Sequence, residues 1–402
     1  MNQQEKNKTS RTVVLAAGGT GGHIFPAQAL AEELVERGVR VVLVTDRRFA
    51  NYVRAFNDVE VRIIRSGSLS GNIIHRVLSL FNLAIGVVQA WRILKELKPV
   101  AVVGFGGYPS FPTMLAAGKG GYYTIIHEQN SVLGRANRVL AGWVSKIATS
   151  FKEVSHVPEH ALSKLTFTGN PVRQGIRALR DVPYRDLAAD GKFHVLIMGG
   201  SQGATVFSKI VPEAMRRLPV ALRNRLRIDQ QCRPADIEDV RGIYDSMAVN
   251  ANLATFFNDV PARLASAHLV IARAGASTVA ELLTAGRPAI LVPYTKAMDD
   301  HQTFNANTVE DAGGGWLMPE SGFTPEALSD KLEQFMSLPS TLESAAANAR
   351  KGGHPEAVKQ LAELVIGTDS PARRAEDLLR GRPEMKPASI TQTASLQKEN
   401  AA

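Results

Sequence analysis

The chain has 402 residues, 45% hydrophobic and 21% charged, a composition that excludes a disordered protein and a length that suggests two or three domains, two being favoured where helices and strands alternate. A single cysteine, Cys232, excludes an internal disulfide and a four-cysteine metal site and fits a reducing compartment. The formal charge of +9 is one-sided: residues 1–170 hold 20 Lys and Arg against 11 Asp and Glu, while 171–402 hold 27 of each. A basic half suits a polyanion, either nucleic acid or an anionic membrane face, and ordinary solubility charge is the bland alternative.

Residues 1–11 form a polar extension without the apolar core of a signal peptide. The apolar run Thr12–Ala17 reads as a parallel strand buried on both faces and leads into Gly18-Gly19-Thr20-Gly21-Gly22-His23. A helix is expected over Pro26–Arg37, with Ala27, Leu30, Ala31 and Leu34 at i, i+3, i+4, i+7 and Gly38 as its C-cap. Strands over Val39–Val44 and Val59–Ile64 follow. Ile73–Leu94 is the most apolar stretch and has the basic flanks Arg76, Arg92, Lys95 and Lys98. Only Val77–Trp91 is free of charge, short of the roughly 20 residues that a bilayer crossing needs, so it is read as a non-spanning helix. Two readings stay open for it: a buried core helix, or a surface helix whose outer face dips into a membrane interface.

A second glycine turn, Gly104-Phe105-Gly106-Gly107, follows the strand Ala101–Val103, and Tyr122–His127 is the next strand. Pro171–Lys192 carries turn and linker residues, so the domain boundary is placed there. The strand His194–Met198, the turn Gly199-Gly200-Ser201-Gln202-Gly203 and a helix over Ala204–Leu218 restart the pattern of the first half. Further strands are expected over Leu226–Gln230, Leu253–Phe256, Leu269–Ala272 and Ala289–Val292. Strands alternating with helices imply two doubly wound parallel sheets, facing one another with a ligand between. The divisions are 1–11, 12–175, 192–345, a helical segment 346–367 packing back on the first domain, and a tail 368–402 of disordered composition.

The segment Arg273 to Glu281 carries the sharpest chemical signal. Gly275 and Ala276 let backbone approach a ligand, Ser277 and Thr278 start a helix and can donate to phosphate, and Glu281 lies on the same face as Thr278. A carboxylate there can accept from two ribose hydroxyls, which makes a nucleotide-diphosphate clamp; a helix cap with a solvated Glu is the plain alternative. His23 begins a helix, where the dipole favours its neutral, base-competent ring; it is either a catalytic group or a structural one. His23, His127, His301 and His354 show no paired metal-ligand spacing, and there is no Asp-x-Asp triplet. No P-loop is present, and the glycine turns do not follow the usual dinucleotide pattern, although Asp46 after the second strand leaves an NAD reading as a minor alternative.

Taken together, Gly18 to Ala27, Gly104 to Ser110, His127-Glu128-Gln129-Asn130, Gly169 to Arg173, Gly199 to Ala204, Arg273 to Glu281 and Asp300 to Ala306 resemble, in order, the bacterial peptidoglycan lipid-intermediate N-acetylglucosaminyltransferases. The resemblance spans roughly Thr12 to Gly367 and implies the GT-B glycosyltransferase fold, two facing Rossmann-like α/β domains with an interdomain cleft. It implies inverting, metal-independent transfer of GlcNAc from UDP-GlcNAc to the MurNAc 4-hydroxyl of undecaprenyl-pyrophosphoryl-MurNAc-pentapeptide, with no cofactor. The donor would meet Ser201, the turn Ala276, Ser277, Thr278, Val279 and Ala280, the ribose carboxylate Glu281, the backbone at Phe257, and Gln302 on the sugar. Arg173 and Asn130 would reach in from the interdomain side, while Thr20, Gly21, Gly22 and His23 would frame the acceptor. The implied partners are the two substrates, an anionic membrane surface and cell-wall or division proteins, with no nucleic acid, at the cytoplasmic face of a bacterial inner membrane. One departure is Ser66 to Asn72, where family members often carry basic residues. A diacylglycerol glucosyltransferase, a UDP-GlcNAc 2-epimerase and a sensor or scaffold without turnover are the rival classes.

Overall fold

The structure, a computed structural model, describes residues 11–49, 56, 59–67, 72–185, 187, 191–200 and 203–367. The expected extension, except Arg11, and the expected tail lie outside the described residues.

The first sheet contains β1 (Thr12–Ala17), β2 (Arg40–Thr45), β3 (Glu60–Ile63), β4 (Ala101–Gly106), β5 (Thr124–Glu128), β6 (Lys146–Thr149) and β7 (Leu165–Phe167). Its order is β3-β2-β1-β4-β5-β6-β7 and every pairing is parallel. Helices α1 (Gly21–Glu36), α2 (Ile73–Leu97), α3 (Ser110–Lys119) and α4 (Arg135–Leu140) lie between these strands, and α5 (Gln174–Arg177) follows them. The second sheet repeats the winding: β8 (Phe193–Met198), β9 (Leu226–Gln231), β10 (Asn250–Ala254), β11 (Leu269–Ala272), β12 (Ala289–Leu291) and β13 (Gly315–Leu317), in the order β10-β9-β8-β11-β12-β13. Its helices are α6 (Thr205–Arg217), α7 (Val220–Arg223), α8 (Ile237–Ser246), α9 (Val260–Ser266), α10 (Ala276–Ala285), α11 (His301–Asp311), α12 (Pro325–Ser337), α13 (Ser340–Gly352) and α14 (Ala357–Ile366). In both sheets the first strand is central, and its side chains are almost wholly buried, as apolar runs covered on both faces must be.

Several boundaries differ from the sequence reading. Helix α1 begins at Gly21, five residues before Pro26, because the glycine loop itself turns into the helix. Strand β10 lies over Asn250–Ala254, earlier than the expected Leu253–Phe256. The short strands β6, β7 and β13 and helix α3 were not anticipated, since each is too brief or too evenly apolar to show a period.

The chain passes from one half to the other at two adjacent places. Val172, Ile176 and Leu179 already pack in the core of the second half, so the crossing lies just after β7. Ala349 of α13 still packs there, whereas Leu361, Ala362, Leu364 and Val365 of α14 pack with Val13 and Leu15 of β1. The stretch 346–367 therefore divides between the halves. At the crossing Gly169 has φ +77°, and a Cβ there would lie 2.9 Å from Ala357 Cβ and 3.0 Å from His354 Cβ. Both the backbone conformation and the space call for glycine.

Helix α2 rests on the first sheet by a narrow stripe. Ala90 and Leu94 belong to the core, and Gly86 lies so close to Arg65 that a Cβ would meet its carbonyl at 2.1 Å. The Gln89 side chain accepts from the Arg65 N–H at 2.8 Å. Its opposite face leaves Val77, Leu78, Leu80, Phe81, Val88 and Trp91 exposed, Phe81 by 65%. By length and composition alone, His75–Leu97 would be long and apolar enough to cross a membrane. The buried stripe instead holds it along the domain surface.

Candidate active site

Two glycine loops of the first half stack at the ends of β1 and β4. Gly107, at φ +79°, approaches so closely that a Cβ would lie 1.9 Å from the Gly18 carbonyl oxygen. Gly106, at φ +95°, leaves room for the His23 ring, which a Cβ there would meet at 2.9 Å. These absences of side chain let His23, in the first turn of α1, lie over the end of β4. Its Nδ1 is 3.0 Å from Gln129 Oε1. Burial pulls the His23 pKa below its ordinary value and the charge of His301 acts in the same sense; the Gln129 bond, the Glu128 charge and the Phe105 carbonyl oppose it.

Behind His23 lies a buried polar chain. Gln129 Nε2 is 3.1 Å from His127 Nδ1 and donates to the His127 carbonyl at 2.9 Å. His127 Nε2 is 3.2 Å from the Gly169 carbonyl oxygen. Full burial pushes the His127 pKa down to about 4, so this ring is neutral near pH 7. Glu128, on the other side of the strand end, accepts from the N–H and side-chain amide of Asn130, from Gly134 N–H and from the Asn137 amide. It thereby shapes the loop that carries Asn130.

The second half contributes the start of α10, whose first-turn N–H groups form a ready anion site. Ser277 Oγ donates across the cleft to the Gly22 carbonyl at 3.2 Å. That carbonyl is available because Pro26, four residues on, has no N–H to give it. Glu281 is buried and accepts from Arg173 Nη2 at 2.8 Å and Nε at 3.2 Å, while the guanidinium lies 4.2 Å from the centre of the Phe25 ring. Arg173 thus ties the carboxylate of the second half to α1 of the first.

Asn305 of α11 stands fully buried between the halves. Its amide donates to Asn130 Oδ1 and to the Ala274 carbonyl, and its oxygen accepts from Ser131. Asp299 pairs with Arg135 and Arg138 of the first half. Asp299 and Asp300 both have positive φ, 54° and 51°, in the turn that delivers α11 and with it Gln302. Gln302 Oε1 accepts from the Tyr294 N–H at 3.0 Å. Loop 294–300 and the first turn of α11 are thus held from both sides.

The structure places Thr20, Gly21, Gly22, His23, Arg173, Ser277 and Glu281 around one cleft, with Asn130 joined through Asn305 to the start of α10. The side chains of Ala276 and Val279 are buried, and with Ala280 they line a separate cavity of about 350 Å³ beside Asn170 and His354. Phe257 is likewise buried, with the Arg263 guanidinium 3.9 Å from its ring centre. Ser201 lies outside the described residues. Among the described residues no group of three or more His, Cys, Asp and Glu side chains could hold a metal ion. The sequence reading missed the parts of Gln129, Glu128 and Asn305. The one available signal was that His127 and Gln129, two apart at a strand end, share a face.

Two parallel-sheet Rossmann-like halves, with a glycine loop of one opposed to a helix N-terminus of the other, define the GT-B fold. Residues 13–149 match the glycosyltransferase family 28 N-terminal domain and residues 194–361 its C-terminal domain. The chain belongs to glycosyltransferase family 28. It is 53% identical over 356 residues (88% of this chain and 96% of the relative) to the UDP-N-acetylglucosamine–N-acetylmuramyl-(pentapeptide) pyrophosphoryl-undecaprenol N-acetylglucosamine transferase of Paramagnetospirillum magneticum. The protein of the same name from Rhodospirillum centenum is 52% identical over 355 residues, 88% of this chain and 94% of the relative. The crystal structure of Acinetobacter baumannii MurG superposes with a TM-score of 0.71 at 30% identity, over 89% of this chain and 99% of that one.

Proposed function

We propose that this glycosyltransferase moves GlcNAc from UDP-GlcNAc to the MurNAc 4-hydroxyl of undecaprenyl-pyrophosphoryl-MurNAc-pentapeptide, the lipid I to lipid II step of peptidoglycan synthesis. The observation that carries the reading is the meeting of the two loops: the His23 turn and the start of α10 lie within one hydrogen bond of each other. A diphosphate at the α10 N-terminus would receive backbone N–H groups and the Ser277 and Thr278 hydroxyls, which stabilise the departing UDP without a metal. Glu281 would take the ribose hydroxyls in place of, or beside, Arg173. Gln302 and Asn130 would border the sugar, and Ser201 and the Phe257 backbone would complete the donor side.

On the first-half side, the acceptor hydroxyl would give its proton to His23 as its oxygen attacks the anomeric carbon and the bond to UDP breaks. The lowered pKa of His23 keeps the ring neutral near pH 7 for that role. The exposed apolar face of α2, edged by Arg76, Arg92, Lys95 and Lys98, would rest on the anionic membrane surface that holds the lipid acceptor. Incubation with labelled UDP-GlcNAc and a short-chain lipid-linked MurNAc-pentapeptide should yield the disaccharide product, with EDTA having no effect. No disaccharide would refute the reaction; loss in EDTA with recovery in Mg²⁺ would refute the metal-free donor site.

A further inference from the structure

We propose that Gln129 and His127 are positioning residues that hold neutral His23 in the tautomer protonated on Nδ1, leaving the lone pair on Nε2 for the acceptor hydroxyl. The inference rests on the reading of His23 as the base. It follows from the direction in which each hydrogen bond of the buried chain must run.

The chain starts at a group that can only accept. The Gly169 carbonyl lies 3.2 Å from His127 Nε2, so that nitrogen bears the proton. A neutral ring has one N–H, and His127 Nδ1 therefore has a lone pair. The Gln129 amide nitrogen donates to that lone pair at 3.1 Å and also to the His127 carbonyl at 2.9 Å. The second bond fixes the amide against reversal, since a carbonyl cannot donate. Gln129 Oε1 then faces His23 Nδ1 at 3.0 Å and can only accept. That acceptor calls for a proton on His23 Nδ1 and leaves Nε2 basic; the Phe105 carbonyl, which also accepts from this ring, is the competing acceptor against which the tautomer is tested.

Neutrality of His127 matters, because a doubly protonated ring would offer a second donor to the amide nitrogen and break the order. Its burial keeps it neutral. The groups acting on His23 are Glu128, His301, Gln129, the Phe105 carbonyl and, through its own ring, His127. When His23 takes the acceptor proton on Nε2, the resulting imidazolium keeps its Nδ1–H bond to Gln129, so transfer requires no rearrangement of the chain. The anchor also has a location of interest: Gly169 lies where the chain crosses between the halves, wedged against His354 and Ala357. The backbone at this crossing thereby sets the proton position at the reacting ring.

The test reads the tautomer directly. In full-length protein labelled with ¹⁵N-histidine and free of substrates, long-range proton–nitrogen spectra distinguish the Nδ1–H from the Nε2–H form. His23→Ala and His127→Asn assign the signals. Wild type should show Nδ1–H for His23 and Nε2–H for His127. Gln129→Met removes the acceptor: His23 should become a mixture, and kcat should fall about tenfold or more while both KM values move little. Gln129→Glu restores an acceptor and adds charge, so the Nδ1–H form should return and the acid limb of the kcat–pH profile should move to higher pH. A residue needed only for packing would leave that limb in place. An unchanged affinity for UDP by calorimetry shows that the variants are folded. Should wild-type His23 bear its proton on Nε2, or should Gln129→Met keep wild-type tautomer and pH profile, the proposal is wrong. If His23→Ala retains kcat, the reading of His23 as base fails instead, while the tautomer spectra still decide the relay.

Discussion

The two halves share one winding order, and they differ most at one corresponding element. The helix that returns from the third strand to the fourth is 25 residues long in the first half, α2, and 7 residues long in the second, α9. Topology requires only that a right-handed crossover reach over the sheet, which a short helix accomplishes. The additional turns of α2 project an apolar face that no part of the described chain covers. The same half holds the whole basic excess. On the proposed function one architecture serves two jobs: the first half would face a lipid-borne acceptor, and the second, neutral half would offer a helix N-terminus and a carboxylate to a nucleotide. The lesson is that the sheets specify where the cleft is, while departures from their symmetry specify what each side of it meets.

This division predicts separable failures. The largest is expected for His23→Ala, which should lower kcat by about 10²–10⁴-fold with donor affinity unchanged. Weakened UDP binding in that variant would mean that His23 serves the donor side and would blur the comparison. A raised acceptor KM with normal kcat would give His23 a pyrophosphate contact in place of the base.

Acid should act through the first half. His127 has a folded pKa of about 4 against 6.5 for the free side chain, so the unfolded chain takes its proton first. Stability conferred by the neutral ring is complete above pH 6.5 and is lost as the pH falls towards 4, by about 3 kcal/mol. Denaturant titrations between those values should show the loss, and His127→Asn should flatten it. An equal slope in the variant would place the acid-sensitive group elsewhere.

Glu281→Ala tests the second half. Loss of charge-assisted bonds to ribose should cost about 1.5–3 kcal/mol, or roughly ten- to a hundredfold in UDP affinity. It should leave binding of the lipid acceptor alone. Calorimetry showing unaltered UDP affinity would remove Glu281 from the donor site and leave it as the partner of Arg173.

The smallest effect concerns the membrane. Leu80 and Phe81 are 57% and 65% exposed, so replacing both by Ser disturbs little packing. Sedimentation with anionic liposomes at low salt should drop about tenfold through the lost apolar insertion. Wild-type protein that stays in the supernatant would take away the functional contrast between α2 and α9.

The sequence by itself determined the strand–glycine-turn–helix units and the pairing of two similar halves, because parallel strands buried on both faces leave continuous apolar runs. It also marked Ser277, Thr278 and Glu281, since their spacing is local to one helix, and His23, which follows a glycine loop directly. Tertiary structure alone decided the rest. Whether Ile73–Leu97 was core or surface depended on how much of it the sheet could cover, and a stripe at Gly86, Ala90 and Leu94 sufficed. The pairing of Arg173 with Glu281, residues 108 apart, and the chain from Gly169 through His127 and Gln129 to His23 arise only when separate strand ends meet. Hydrogen-bond direction is a property of neighbours in space, and no period or spacing along the chain encodes it.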